Sequence, residues 1–195
     1  MSFLTGTNVE TIYSSTSLGS AKNTFTTEVQ INDTSGMGVQ AHLPPDFWSP
    51  TNTQTGRGIR IVARGILSST GTPTYTWTIR VGAAGNTTSA IILGSAALTT
   101  ASGAANAAWE LEGDVVLKTL GAAGTNSTVL GTGMIYSAGL NPVVAGIGAG
   151  ASLTAPTVAT VDTSITNYIN FNVACSASSA SNNIQLTQLE VFGLN

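Results

Sequence analysis

Three carboxylates lie at alternating positions in the segment Trp109–Thr119, namely Glu110, Glu112 and Asp114. If the segment is a β-strand, the three side chains project from one face, because successive strand residues point to opposite sides. Carboxylates grouped in this way can act as an acid and base pair or bind a hard cation. A solvated or arginine-paired row is far commoner, and we favour that interpretation.

The other reactive side chains lack partners at useful spacings. His42 is the only histidine, and no nucleophile or metal ligand accompanies it. Cys175 is the only cysteine, which excludes an internal disulfide and a structural zinc site, and its apolar neighbours predict a buried thiol. The glycine-rich run Gly146–Gly150 lacks the lysine of a phosphate-binding loop. The sequence therefore predicts a protein that is not an enzyme and binds no metal and no cofactor.

Arginine occupies polar positions in the segment that precedes the carboxylates. Apolar and polar residues alternate through residues 57–82, interrupted by a turn that contains Gly71 and Pro73. This pattern predicts a β-hairpin with one apolar face and one arginine-bearing face. Rows of opposite charge on neighbouring strands stabilise each other, so we expect a charge layer. In that layer three arginines face the three carboxylates: Arg60, Arg64 and Arg80 with Glu110, Glu112 and Asp114.

The elements that must position these side chains are strands. Alternation recurs in about eight to ten short segments separated by Gly, Asn and Ser turns, and no helix is convincing. One such strand, Thr128–Ser137, carries Leu130, Met134 and Tyr136 on one face. In the final strand the apolar positions change parity after Leu186, which predicts a β-bulge near Thr187 and Gln188. The predicted fold is all-β, an antiparallel β-sandwich that is jelly-roll-like, with an extended N-terminal arm.

The domain prediction is a single sandwich domain over residues 25–195, preceded by an arm over residues 1–24. The arm is polar and shows no sustained periodicity, so we expect it to be ordered by a neighbouring molecule. Its apolar side chains are candidate partner contacts: Phe3, Leu4, Ile12 and Tyr13.

A second set of candidate contacts lies in the segment His42–Pro50, whose three prolines predict an ordered loop. Phe47 and Trp48 in this loop have two interpretations. They form a plug over one end of the core, which is the favoured interpretation, or they form an exposed anchor for a partner.

Composition restricts the partners. Charged residues make up 8% of the chain, the net charge is −3 and the mean hydropathy is +0.25, which favours a permanent assembly over a free monomer. The acidic balance leaves no basic surface for nucleic acid. No signal peptide is visible and the apolar stretch Ala138–Ala151 is too short to span a membrane, so we expect synthesis in a cytoplasm and no membrane partner.

The run Gly58–Thr74, followed by Ile79–Gly82 and Ala108–Glu112, resembles small β-rich virion structural proteins of tailed bacteriophages, of the head-decoration or minor structural type. The resemblance extends from about Phe25 to the end of the sequence. It implies an external subunit of the virion, made in the host cytoplasm and assembled as a homotrimer, with the major capsid protein or other virion proteins as partners. The expected function is capsid decoration. The alternatives are a tail or fibre component that contacts host saccharide and a carbohydrate-binding adhesion module.

Overall fold

The regular secondary structure is almost entirely β-strand, in a computed structural model that describes residues 9–37, 39–48, 57–151 and 156–194. One helix of four residues, α1 (Thr34–Met37), and two short 3₁₀ turns are the remaining regular elements of these ranges. The strands are β1 (Val9–Ser15), β2 (Val29–Gln30), β3 (His42–Leu43), β4 (Gly58–Ser68), β5 (Thr74–Gly82), β6 (Ile91–Gly94), β7 (Leu98–Thr100), β8 (Ala107–Thr119), β9 (Ser127–Ser137), β10 (Leu140–Asn141), β11 (Val144–Gly148), β12 (Ala159–Val161), β13 (Asn167–Cys175) and β14 (Asn183–Leu194).

All fourteen strands belong to one antiparallel sheet that folds over on itself. The order across the sheet is β1-β14-β4-β8-β9-β11-β6-β5-β13-β2. We call β1-β14-β4-β8-β9 the first layer and β6-β5-β13-β2 the second layer. Strand β11 joins them, because it pairs with β9 on one side and with β6 on the other. The two ends of this path, β1 and β2, do not pair, so the sheet is not closed into a barrel.

The strand order is that of a jelly roll. When β3, β7 and β9 to β12 are set aside, eight strands remain in chain order: β1, β2, β4, β5, β6, β8, β13 and β14. The first layer then contains the first, eighth, third and sixth strands, and the second layer contains the second, seventh, fourth and fifth. Two Greek keys folded against each other produce this order. The predicted all-β, jelly-roll-like fold is confirmed.

The predicted hairpin over residues 57–82 is wrong, although both of its strands exist. Strand β4 lies between β14 and β8 in the first layer, whereas β5 pairs with β13, β6 and β7. The connection between β4 and β5 therefore crosses from one layer to the other. Alternation identified the buried face of each strand correctly, but two strands that bury apolar faces can either pair edge to edge or pack face to face.

The predicted boundary after residue 24 also needs correction. Strand β1 pairs with β14, from Val9 opposite Leu194 to Ser15 opposite Leu189. Backbone hydrogen bonds from Gly19 and Lys22 to β14 continue the contact, so residues 9–24 belong to the sandwich. Ile12 and Tyr13 are half-buried and pack against the core, and the Tyr13 hydroxyl donates to the Val39 carbonyl oxygen at 2.7 Å. A register shift within β1 interrupts the alternation, which is why no period was visible.

Phe3 and Leu4 lie outside the described residues. The other aromatic candidates, Phe47 and Trp48, are 7% and 1% exposed, and their rings meet edge to face with centroids 5.7 Å apart. The Arg57 guanidinium lies 5.2 Å from the centre of the Phe47 ring. This burial fits the favoured interpretation, in which Phe47 and Trp48 plug one end of the core. It contradicts the alternative that they form an exposed anchor for a partner.

The core between the layers is rich in aromatic rings. Trp109 of β8 stacks on Phe171 of β13 with ring centroids 5.8 Å apart, and Trp77 of β5 lies 6.4 Å from Trp109. Strand β4 approaches this cluster closely at Gly65, which is opposite Trp109. A Cβ atom at Gly65 would lie 2.4 Å from Cζ2 of Trp109. Cys175 is buried in the same core, as predicted.

The predicted bulge in β14 is present. Leu186 pairs with Gly65 and Gln188 pairs with Arg64, so Thr187 is the inserted residue. Its hydroxyl donates to the Arg64 carbonyl oxygen at 3.0 Å. The bulge moves the outward positions of β14 by one residue and thereby places Glu190 on the same face as Arg64.

Candidate functional site

The outer face of the first layer carries rows of paired charges. Arg60 of β4 donates to both carboxylate oxygens of Asp114 on β8, with Nε–Oδ1 2.7 Å and Nη2–Oδ2 2.9 Å. Arg64 donates to Glu110 at 3.0 Å, and its other terminal nitrogen lies 3.7 Å from Glu190 of β14. We call this set the charge ladder: Arg60, Arg64, Glu110, Glu112, Asp114 and Glu190. It brings together five of the six residues of the predicted charge layer, and Glu190 is an addition.

Glu112 is the most exposed carboxylate of the charge ladder. Its closest cation is Arg60 Nε at 3.5 Å, and that nitrogen already donates to Asp114. Within the described ranges, the carboxylates of Glu112 and Glu190 accept no hydrogen bond, and their side chains are 53% and 25% exposed. The ladder has two cations and four carboxylates, and the bond to Asp114 raises the pKa of Arg60, which keeps that residue positively charged. The face is therefore acidic overall, and Glu112 is the more exposed of the two carboxylates that accept no hydrogen bond.

Exposed apolar side chains lie beside Glu112 and define what we call the apolar patch: Met134, Tyr136 and Val144, which are 62%, 55% and 50% exposed. Register places them next to the charge ladder, since Met134 is opposite Glu112 and Tyr136 is opposite Glu110. Val144 of β11 is opposite Tyr136 on its other side. Together these residues line a shallow depression of about 190 Å³. Two further depressions on the same face adjoin it, one at Met134 and one at Tyr136.

Arg80 does not join the charge layer that the sequence predicted. It lies on β5 in the second layer and binds Glu28, with Nε–Oε1 2.8 Å and Nη2–Oε2 2.9 Å. The Thr78 hydroxyl donates to the same carboxylate at 2.6 Å. This ion pair is much less exposed than the charge ladder, with side-chain exposures of 13% for Arg80 and 21% for Glu28. Because β5 and β8 belong to different layers, Arg80 is not placed among the carboxylates of β8.

The outer face of the second layer is covered by other parts of the chain. Asn170 and Asn172 of β13 are fully buried although they point away from the core. The Gln40 side chain donates to Asn170 Oδ1 at 2.7 Å, and Asn170 donates to the Ala83 carbonyl oxygen at 3.0 Å. The Asn86 backbone also donates to Asn170 Oδ1, at 3.1 Å. These contacts cover the second face around Asn170, whereas the face with the charge ladder stays open.

The ion pair of Glu28 makes stability dependent on pH. Burial raises the pKa of Glu28, but the hydrogen bonds from Arg80 and Thr78 and the charge of Arg80 outweigh it, so the pKa lies below its ordinary value of 4.5. A lowered folded-state pKa stabilises the fold above the unfolded-state value, and this stabilisation is lost as the pH falls through the folded-state pKa. We therefore expect the free energy of unfolding, measured in urea, to fall more steeply below pH 4.5 in the wild type than in Glu28→Gln. Parallel profiles for the two proteins would contradict the assignment.

The described part of the chain offers no metal centre, since it contains no group of three or more His, Cys, Asp or Glu residues that could hold an ion. His42 is exposed, with its Nδ1 3.3 Å from the Gln40 carbonyl oxygen and its ring 5.6 Å from that of Tyr168. No helix in the described ranges is long and apolar enough to cross a membrane.

Comparison with known proteins gives no assignment for this surface. No protein-family model matches the sequence, and no curated protein matches it.

Proposed function

We propose that this chain is a non-enzymatic structural protein of a virion, and specifically a capsid decoration protein that binds the assembled head. The observation that carries the proposal is the open outer face of the first layer, where exposed apolar side chains adjoin an acidic charge ladder. Such a surface is typical of a protein-binding site, since exposed apolar patches rimmed by polar groups mark interaction surfaces. The jelly-roll order is also found in viral capsid domains.

Binding to an assembled shell supplies a mechanism that needs no chemistry. A protein that binds only the assembled shell shifts the equilibrium against disassembly by mass action. A modest contact is sufficient, because a symmetric shell repeats it many times and a multimeric decoration protein engages several copies at once. The proposed homotrimer rests on the resemblance to virion proteins of tailed bacteriophages. Composition supports an assembly in general, since a chain with 8% charged residues and a mean hydropathy of +0.25 gains from covering apolar surface.

A second candidate function is contact with host saccharide by a tail or fibre component. The observation that favours it is the exposed ring of Tyr136, with Glu110 directly opposite on the neighbouring strand. The apolar face of a sugar can stack on such a ring while its hydroxyl groups donate to a carboxylate. Jelly-roll domains include lectins as well as capsid proteins.

The experiment that tests the first proposal places the protein on particles. Purified protein is added to heads that lack it, and retention is measured by sedimentation while cryo-electron microscopy locates the copies. We expect regular copies over the head. Met134→Glu should lower retention at least about tenfold, because it removes apolar contact area beside Glu112 and puts in its place a carboxylate that must be desolvated when the partner binds.

The matched control for that experiment is Thr76→Glu. Thr76 lies on β5 and pairs with Ala174 in the second layer, away from the charge ladder. It should leave retention unchanged, and both variants should unfold at the wild-type temperature. Copies confined to the tail would favour the saccharide candidate, and absence from particles would overturn both virion functions.

A further inference from the structure

Glu112 and Tyr136 are placed so that one small cation could contact both. They lie on adjacent strands, with Glu112 opposite Met134 and Tyr136 two residues further along β9. Diagonal neighbours of this kind lie about 7–8 Å apart, with their Cβ atoms somewhat closer, within reach of long side chains. A planar cation between them would meet a carboxylate on one side and the face of an aromatic ring on the other.

Glu112 is the carboxylate of the ladder most accessible to an incoming cation. Glu190 also accepts no hydrogen bond within the described ranges, but its side chain is 25% exposed against 53% for Glu112. Asp114 is bound by Arg60 through two hydrogen bonds, and Glu110 is bound by Arg64. Glu112 has only the 3.5 Å contact to a nitrogen that is already engaged. Since four carboxylates face two cations across the ladder, another positive charge is favourable here and another negative charge is not.

We propose that the depression between Glu112 and the apolar patch is a docking site for an arginine side chain presented by a partner protein. The guanidinium pairs with Glu112 and stacks on the Tyr136 ring, and its aliphatic stem packs against Met134 and Val144. A guanidinium suits this site better than an ammonium, because it is planar, stacks on aromatic faces and is less strongly hydrated. The inference rests on the proposed function in one respect, namely that the partner is another virion protein.

A second copy of this chain is a poor source of the arginine. Arg57 lies against Phe47, and the other three arginines are ion-paired within the described structure. Docking one of them on a neighbouring copy would break a contact already present. The occupant is therefore a different protein with an exposed arginine.

The test uses a probe that needs no knowledge of the partner. The full chain, labelled with ¹⁵N, is titrated with N-acetyl-arginine amide and, in parallel, with N-acetyl-citrulline amide, which has nearly the same shape but no charge. We expect the arginine probe alone to shift the amide resonances of Glu112, Met134 and Tyr136. In Glu112→Gln its affinity should fall roughly fivefold, the factor that corresponds to about 1 kcal/mol for an exposed ion pair. Thr76→Glu is the control and should bind the probe as the wild type does.

Four results of the titration and mass measurements would overturn the inference. The first is equal binding of the two probes, and the second is an unchanged affinity in Glu112→Gln. The third is a response of the same resonances to methyl glucoside and not to the arginine probe, which would assign the depression to a sugar. A change in the mass of the free protein in Glu112→Gln, measured by light scattering, would instead assign the site to a second copy and would also overturn it.

Failure of this inference and failure of the proposed function are distinguishable. If the arginine probe binds at Glu112 but the chain is absent from particles, the docking chemistry stands and the virion function fails. If the wild type and Glu112→Gln are retained on particles equally well, the proposed function stands and the arginine site is overturned.

Discussion

Replacing Gly65 by alanine is expected to destabilise the protein by more than about 3 kcal/mol, because overpacking against rigid atoms is at the severe end of core substitutions. A Cβ atom at this position would lie 2.1 Å from the Gln185 carbonyl oxygen and 2.4 Å from Cζ2 of Trp109. The first contact is with the backbone of the neighbouring strand, and the second is with a ring stacked on Phe171. Neither group can move without disturbing the sheet or the aromatic core. The free energy of unfolding, measured in urea, is the appropriate readout.

Gly193→Ala is the matched control for this substitution. Gly193 lies on β14, and a Cβ atom there would be 3.5 Å from both Ile12 Cδ1 and Phe47 Cζ, which is an ordinary contact. We expect a change smaller than about 1 kcal/mol, typical of a tolerated substitution. Equal losses in the two variants would show that the close approach at Gly65 is not what excludes a side chain.

The second large effect is expected at Arg80, where methionine should destabilise the protein by about 2–3 kcal/mol, since removing one member of a buried pair leaves the other charge uncompensated. Of its hydrogen bonds to Arg80 and Thr78, the Glu28 carboxylate would keep only the one from the Thr78 hydroxyl. Loss of Arg80 would also release the Ser89 carbonyl oxygen, to which it donates. Both consequences weaken the attachment of chain segments that cover the second layer.

Arg64→Met provides the comparison, because it removes the same charge from a site of different exposure. The Arg64 and Glu110 side chains are 40% and 44% exposed, against 13% and 21% for Arg80 and Glu28. Exposed pairs contribute about 0–1 kcal/mol, so Arg64→Met should cost much less than Arg80→Met. Thermal and urea unfolding of both variants, measured side by side, would reveal the difference, and equal costs would contradict it.

The sequence predicted the class of fold and several local features because these depend on neighbouring residues. Alternation identified the strands, and a change of parity located the bulge at Thr187. The predicted rows of opposite charge form between β4 and β8, because these strands pair directly and their arginines and carboxylates lie on the same face. The third arginine was misplaced because its strand lies in the other layer, and the choice of layer depends on long-range packing.

The features that the sequence missed depend on which side of a strand is covered. Met134 and Tyr136 were recognised as sharing a face of β9, but that face is exposed while Val129 and Ile135 point into the core. Both faces of β9 carry apolar residues, so periodicity could not choose between them. Glu28 was missed for a related reason, since only two residues of its segment form a strand and the rest follow an irregular course over the second layer.

The position of β14 between β1 and β4 has a consequence for the order in which the protein can form. Val9 pairs with Leu194, so the first layer joins segments from opposite ends of the described chain. Contacts this distant along the sequence close late and slow folding. During synthesis, a nascent chain that has not yet extended past residue 183 has β1 and β4 but lacks the strand that separates them. Their unpaired edges are the kind of surface that associates with other chains. We therefore expect chaperone dependence or aggregation to be governed by the interval between synthesis of β4 and release of β14.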